Sequence, residues 1–311
     1  MKKNEIKNSW IISSGLVGCE NQCLGIMERM GIKVELKRIN PSKLLSLTAP
    51  YGRPIVDKQL SKPWPNLAIA AGRRTIPYLR HIKRMSKNRC KTIYLQDPKI
   101  NSKSFDIVWA PLHDKIEGNN VIKTVTSPNR VNDNLLIKSY NEWTHLLSKF
   151  TKPLIGFLIG GRSKAYRFDN FECNKILDSI KLTIDNGRTP LITISRRTPK
   201  NLTTKIKEIL NDKEHLLYDG EGPNPYFAIL KASDVIVVTP DSANMISEAL
   251  SVPKPVYFID MESHSKRFKK FIETLINSNH IRPFQEELNF FQNKKLDATQ
   301  EIVDYIYENL F

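Results

Sequence analysis

The sequence predicts an α/β protein of two Rossmann-like domains facing each other across a cleft. Short, almost uninterrupted apolar runs alternate with amphipathic helical stretches along the 311 residues. That is the pattern of parallel sheets buried on both faces. The alternation runs through once, breaks at a polar stretch near residue 130 and begins again at Pro153. The length suits two domains of roughly 150 residues each. The expected boundary gives residues 1–150 to an N-terminal domain and 151–311, with the terminal helices, to a C-terminal one.

In the first half, WIISSG (10–15) reads as a strand and ENQCLGIMERMG (20–31) as a helix stopped by Gly31. KVELKRI (33–39) and NLAIAAG (66–72) are strands. RTIPYLRHIKRM (74–85) is a helix with Pro77 in its first turn, where the missing N–H has no intrahelical partner to lose. KTIYLQD (91–97), FDIVWAP (105–111) and NVIKTVTS (120–127) are further strands, and a helix near 134–149 leads to a hinge at Lys152–Pro153. The second half repeats the plan. Strands are expected at 153–161, 189–197, 215–220, 234–242 and 254–260, and helices at 171–187, 199–212, 224–233, 243–251, 265–278 and 297–311.

Composition narrows the function. Hydrophobic residues make up 40% and charged residues 26%, as in soluble globular proteins. No apolar run reaches the roughly 18 residues that a membrane span needs. The apolar patch after Lys2 and Lys3 is too short for a secretory leader, so a cytoplasmic location is expected. Cys19, Cys23, Cys90 and Cys173 form no CxxC pair, and no histidine pair stands near them. Buried or half-buried thiols are expected, without zinc or disulfides. Lys and Arg outnumber Asp and Glu by 48 to 32, for a net charge of +16. Such a surface attracts acidic ligands or an anionic membrane. The charge is spread along the chain, with no basic arm, helix-turn-helix, finger or RNP-type strand, so nucleic acid is not an expected partner.

The chemistry gathers at the strand ends of the second half. PLIGFLIGG ends in Gly160 and Gly161, followed by Arg162, Ser163 and Lys164. The next strands end at Ser195–Arg196–Arg197 and at Thr239–Pro240–Asp241–Ser242, and the loop Asp219–Pro225 includes Asn224. Glycines let a backbone approach a ligand, helix N-termini favour anions, and arginine grips phosphate oxygens in pairs. Asp241 or Ser242 can cap the helix that carries Asn244, Met245 and Glu248. Glu248 is either a solvated helix residue or an acceptor for a ribose diol. In the first half, GLVG places Gly15 and Gly18 at a turn, with Glu20 at a helix start. His113, beside Asp114 at a strand end, is either a loop histidine or a general base. GxGxxG and GxxxxGK[ST] are both absent, which disfavours a dinucleotide oxidoreductase or P-loop ATPase. No acidic pair with metal-ligand spacing stands near a strand end, so no metal is implied.

GLVGCENQCLG, AAGRRTIP, LQDP, PLHD, GGRSKAYRFD, SRRTP, DGEGPNPYFAIL and TPDSANMISEALSVPKPVY occur in this order over roughly residues 10 to 262. In this the chain resembles the elongated-mitochondria-type mitochondrial fission family and its bacterial relatives. That family has a plant member that recruits a dynamin-like protein; no dynamin-docking signature is recognisable here. The family is in turn similar to GT-B glycosyltransferases, including the lipid-linked muramyl-pentapeptide N-acetylglucosaminyl transferase type. There a GGS turn meets diphosphate and a glutamate takes the ribose. Gly160, Gly161 and Ser163 match the turn with an arginine inserted, and Glu248 in EALSVPKPV matches the glutamate. Val252–Pro253 departs from the usual glycine before the final PV.

The resemblance implies a GT-B-like protein that binds a nucleotide-sugar as substrate, without a further cofactor. Gly160, Gly161, Arg162, Ser163, Lys164, Arg196, Arg197, Asp241, Ser242, Asn244 and Met245 would hold the diphosphate and its surroundings, Glu248 the ribose, and Asn224 would stand nearby. Gly15 and Gly18 would approach an acceptor, with His113 or Glu20 as base. The expected activity is metal-independent transfer to a cell-envelope or lipid-linked acceptor, with the basic protein resting on the inner membrane. A non-catalytic recruitment protein and a nucleotide-sugar epimerase are the alternatives.

Overall fold

The structure is a computed structural model, and it describes residues 6, 8–54, 58–286 and 288–311. Lys2 and Lys3 lie outside these residues. The chain forms two compact units, Met1–Arg130 with Asp297–Phe311, and Val131–Leu296.

The first unit is built on six parallel strands, β1 (Ser9–Ser13), β2 (Glu35–Arg38), β3 (Leu67–Ala71), β4 (Lys91–Leu95), β5 (Ile107–Pro111) and β6 (Val121–Thr124). Their order is β2-β1-β3-β4-β5-β6. The two-residue period of a strand sends alternate side chains into two cores. Trp10, Ile12, Ala68, Ala70 and Tyr94 pack with Leu79 and Ile82 of one helix, while Ile11, Ile69, Ile93 and Trp109 pack with Ile26 and Met27 of another. These helices are α1 (Val17–Arg29) and, after a short α2 (Lys43–Thr48), α3 (Ile76–Met85). The sequence reading did not anticipate α2. Six residues between Pro41 and Pro50 carry too little periodicity, and the helix forms because Ser42 accepts a hydrogen bond from Leu45 N–H at 3.2 Å while Leu45 sinks into the core.

The second unit contains α4 (Asp133–Leu147), β7 (Leu154–Ile159), α5 (Asn170–Asp185), β8 (Thr189–Ile194), α6 (Lys200–Leu210), β9 (Leu216–Tyr218) and α7 (Tyr226–Ala232). It continues through β10 (Val235–Val238), α8 (Ala243–Leu250), β11 (Val256–Phe258), α9 (Lys266–Asn277) and β12 (Arg282–Pro283). The parallel sheet has the order β12-β11-β10-β7-β8-β9. Every expected strand and helix is present. β7, β8 and β10 stop short of their expected carboxyl ends, at Ile159, Ile194 and Val238, and the Ser195 and Thr239 N–H groups make the last main-chain bonds to β7. Strand order reverses between β1 and β3 in the first unit and between β7 and β10 in the second. At such a reversal successive connections leave on opposite faces and open a crevice at the carboxyl edge.

The expected boundary at 150 is corrected. Asn132 caps α4, which packs on α7 and so belongs to the second unit. The last helix, α10 (Ala298–Leu310), returns to the first unit, where Ile302, Val303 and Ile306 are buried beside α1. Polar contacts fix this return. Arg29 donates to Asp297 at 3.0 Å and Gln300 at 2.9 Å, and the Thr299 hydroxyl donates to Asn129 O at 2.9 Å. Sequence order hid this arrangement, because an amphipathic helix does not name the sheet it covers. Among the described residues no helix is long and apolar enough to cross a membrane, and the four thiols are unbridged. Replacing Ile302 by alanine is expected to lower the unfolding free energy of the first unit by about 2–4 kcal/mol. In urea this appears as an earlier transition of that unit, with the transition of the second unit unchanged.

Candidate functional site

In the second unit the carboxyl ends of β7, β8 and β10 are stitched together by one buried carboxylate. Asp241 accepts from Gly161 N–H (3.1 Å), from the Thr239 hydroxyl (2.7 Å) and from Arg197 Nη2 (2.8 Å). Burial pushes its carboxyl above the ordinary aspartate range, against the pull of those donors. Arg197 also donates to the carbonyls of Gly161 (3.1 Å) and Arg162 (3.0 Å), and Thr198 donates to Gly160 O at 2.5 Å. These contacts explain the glycines. A Cβ on Gly160 would lie 2.0 Å from Asp241 Oδ1, and one on Gly161 would lie 2.1 Å from the Arg197 carbonyl carbon.

The main-chain amides of this turn are therefore not open to a ligand. Gly160 N–H donates to Thr239 Oγ1 (2.8 Å), Arg162 N–H to Arg197 O (3.2 Å) and Ser163 N–H to Tyr166 O (2.9 Å). Ser163 Oγ accepts from Ala165 and Tyr166 N–H, at 3.2 and 3.1 Å, and so shapes the turn. The picture of amides cradling an anion at residues 160–163 is corrected. Gly160, Gly161, Ser163, Arg197 and Asp241 brace the edge, while the side chains of Arg162, Lys164 and Arg196 stand exposed on it.

Next to this edge Ser242 caps α8 by accepting from Met245 N–H at 3.4 Å, with Asn244 and Met245 half-buried in the first turn. Glu248 is not a solvated helix residue. It is half-buried, and Tyr226 O–H donates to its Oε2 at 2.5 Å. Burial raises the Glu248 carboxyl to about 7, with the tyrosine pulling the other way. Asn224 supports this pair indirectly, since its Oδ1 accepts from Tyr226 N–H at 2.9 Å at the start of α7. The sequence reading missed Tyr226. Its only signal was adjacency to Asn224 in NPYF, because the 22-residue separation from Glu248 closes only in the fold.

In the first unit Gly15 has φ +82 with open space on its Cβ side, and Gly18 lies exposed in the first turn of α1. Glu20 is buried beneath them. It accepts from Arg38 Nε (3.0 Å), Arg38 Nη2 (3.1 Å) and the Ser13 hydroxyl (2.6 Å). The Arg38 guanidinium holds its carboxyl below the ordinary glutamate range. This arrangement ties β1, α1 and β2 together and makes Glu20 a poor proton acceptor. His113, whose Nε2 is 3.9 Å from Asp114 Oδ1, follows β5. That is three strand positions from β1, roughly 14 Å at ordinary strand spacing, so the structure does not bring His113 beside Gly15 and Glu20. At the β1/β3 reversal lies a cleft of about 840 Å³, lined by Leu16, Lys43, Leu47, Gly72, Arg73 and Arg74 among others. The two arginines follow an apolar strand and a glycine, the same pattern as at Gly161–Arg162, and could have been singled out on that ground. Among the described residues no cluster of three or more His, Cys, Asp or Glu is placed to hold a metal.

The brace makes a stability prediction. Arg197→Ala removes a donor from buried Asp241 and is expected to cost about 1–3 kcal/mol, measured as an earlier urea transition of the second unit. Arg196→Ala, on the same turn but outside the Asp241 cluster, is expected to leave that transition in place.

Comparisons with known proteins agree with this geometry at the level of fold and family. The mitochondrial fission protein ELM1 of Arabidopsis thaliana is 26% identical over 247 residues, which are 72% of this chain and 58% of the plant protein. Among solved structures, the UDP-GlcNAc 2-epimerase of Methanocaldococcus jannaschii superposes with a TM-score of 0.54 at 14% identity, covering 97% of this chain and 99% of its own. MurG of Acinetobacter baumannii superposes with a TM-score of 0.52 at 11% identity, covering 97% and 99%. At such identities the likeness shows the fold, a GT-B-like α/β architecture. The family model for mitochondrial fission ELM1 matches residues 17–310, and the chain belongs to that family.

Proposed function

We propose that the second unit binds a nucleotide-sugar and that the protein is a metal-independent glycosyltransferase acting on a lipid-linked or cell-envelope acceptor. The observation that carries this reading is the Tyr226–Glu248 pair on α7 and α8, at the carboxyl edge that also presents Arg162, Lys164 and Arg196. A half-buried carboxylate with one lone pair engaged can accept from a ribose diol with its free oxygen. The exposed cations and the first turn of α8 meet the diphosphate. In this version side chains, rather than the amides of residues 160–163, carry the phosphate contacts.

Transfer by this reading is a displacement at the anomeric carbon. The acceptor hydroxyl forms the new C–O bond, and the bond to the diphosphate breaks with its electron pair leaving on the nucleotide. The acceptor proton passes to a base. Arginine and lysine side chains neutralise the departing diphosphate, which is the work a metal performs elsewhere. Of the two base candidates, Glu20 is weakened as a proton acceptor by Arg38 and Ser13, so His113 is the one retained, and its role requires an acceptor seated at the end of β5 rather than at Gly15. The likeness to a UDP-GlcNAc 2-epimerase motivates the choice of UDP-sugars as first ligands to test.

The closed turn at Gly160–Ser163 favours a second reading, in which the chain is a recruitment protein that kept the fold without the chemistry. Calorimetric titration with UDP-, GDP- and ADP-sugars separates the two. Binding that falls about tenfold or more in Glu248→Ala and in Arg196→Ala supports the donor site. Absence of binding to every nucleotide leaves the recruitment reading. Glu248 titrates near 7, and only the ionised form offers a full acceptor. Donor affinity is therefore expected to rise between pH 6 and 8 in the native chain and to stay flat in Glu248→Gln. Donor turnover that survives His113→Ala unchanged removes His113 as base.

A further inference from the structure

We propose that α2 and the cationic clefts on either side of it form a docking surface for an anionic phospholipid bilayer. The segment KLLSLT presents its leucines unequally. Leu45 is buried in the core, whereas Leu44 is 72% exposed and Leu47 76% exposed. Tyr51, just beyond the helix, is 72% exposed, and Leu16 across the adjoining cleft is 57% exposed. Apolar side chains this open to water are costly unless a second phase receives them.

The leucines stand on a fixed platform. Arg73 Nη2 donates to the carbonyls of Ser46 (3.0 Å) and Leu47 (3.4 Å), which caps the end of α2 and ties it to the turn after β3. On the far side Gly52 lies against the helix so closely that a Cβ would come within 2.4 Å of Leu45 Cδ1. The tip is thus held in place by the protein with its leucines pointing outward.

Cations flank the tip on both sides. Lys43, Arg73 and Arg74 line the cleft at the β1/β3 reversal. A second cleft, of about 600 Å³, is lined by Tyr51, Arg53, Arg80 and Arg84 among others. Lys83, also in its wall, is paired with Asp106 at 3.2 Å. His81 in the same wall is held toward its neutral form, first by burial and then by Arg84. Among the described residues neither cleft is lined by a carboxylate. Guanidinium groups grip phosphodiester oxygens in pairs. An apolar tip ringed by basic side chains matches the layering of an anionic membrane, with acyl chains below and phosphates at the surface. A nucleic acid would satisfy the arginines and leave the leucines in water. An apolar partner surface would satisfy the leucines and leave the cations of both clefts without an anion. A phospholipid surface answers both at once, in line with the net charge of +16. This docking does not depend on the nucleotide-sugar reading and is tested without nucleotide.

The test is flotation of the full chain with vesicles of phosphatidylcholine alone and with phosphatidylglycerol added. Binding is expected to the second and to be weak with the first, and it should fall as salt rises. The pair Leu44→Glu and Leu47→Glu should lose at least tenfold in vesicle affinity. Arg80→Ala with Arg84→Ala should weaken binding and reduce the preference for phosphatidylglycerol. These residues are on the surface, and an unchanged urea transition confirms that each variant is folded. A tryptophan introduced as Leu47→Trp should be quenched by brominated acyl chains beyond the native background. Three results overturn the proposal: equal binding to both vesicle types, vesicle binding unchanged by the leucine substitutions, or a concentration-dependent dimer abolished by them while vesicles are ignored.

Discussion

The carboxyl edge of the second sheet depends on the buried carboxylate of Asp241. A desolvated carboxylate is stable only when donors surround it, and here the donors come from three different connections. Gly161 belongs to the turn after β7, Arg197 to the turn after β8 and Thr239 to the end of β10. Each turn is fixed because the same carboxylate needs all three. The glycines at 160 and 161 follow from this demand, since a side chain at either place would displace the carboxylate or the Arg197 backbone. A pair of glycines at a strand end is thus a requirement of the protein's own packing before it is an invitation to a ligand.

The first unit uses the same device at the corresponding place. Glu20 at the start of α1 is buried, and Arg38 from the end of β2 and Ser13 from the end of β1 donate to it. In both units an acid, an arginine from a neighbouring strand end and a hydroxyl clamp the carboxyl edge: β7, β8 and β10 in the second, β1 and β2 in the first. Such a clamp removes its arginine from service as a ligand contact. The cations left outside it can meet anions: Arg162, Lys164 and Arg196 in one unit, Lys43 and Arg74 in the other. Arg73 belongs to both groups in part, since it caps α2 with one nitrogen while lining a cleft.

The two folds were legible because period-two and helical patterns in long apolar segments report burial directly. LAIAA and LIGFLI are apolar at every position, and the strands they form are buried throughout. Two elements escaped: the two-residue β12, and α2, whose end is capped by Arg73 from beyond any local window. The destination of α10 escaped for a related reason. Its apolar stripe states that it packs on something, and contacts distant in sequence, such as Arg29 with Asp297 and Thr299 with Asn129, show what. The candidate site was legible as a set of residues on one edge, and the sheet order places them there. Their division into braces and exposed groups was not legible. Arg196 and Arg197 are neighbours of identical chemistry, and only the position of Asp241 draws one of them inward.

Glu20 and Glu248 show how far environment outweighs residue type. Both are glutamates near the carboxyl edge of a parallel sheet, both are at least half-buried, and both accept a hydroxyl hydrogen bond. Two guanidinium nitrogens also reach Glu20, and its carboxyl is depressed, so it stays ionised and structural at any physiological pH. The Glu248 pair holds no cation. Its tyrosine offers one neutral donor, and desolvation raises the carboxyl to about 7. A group at that value changes charge when its surroundings change slightly. A ligand that supplies further donors would favour the ionised form and strengthen its own contact. A structural glutamate gains nothing from such a poise, and a half-buried acid without a counter-cation lowers stability above its pKa. That cost on α8, beside Tyr226, is what favours the proposed ligand contact at Glu248, whereas the bonds to Glu20 account for a structural role.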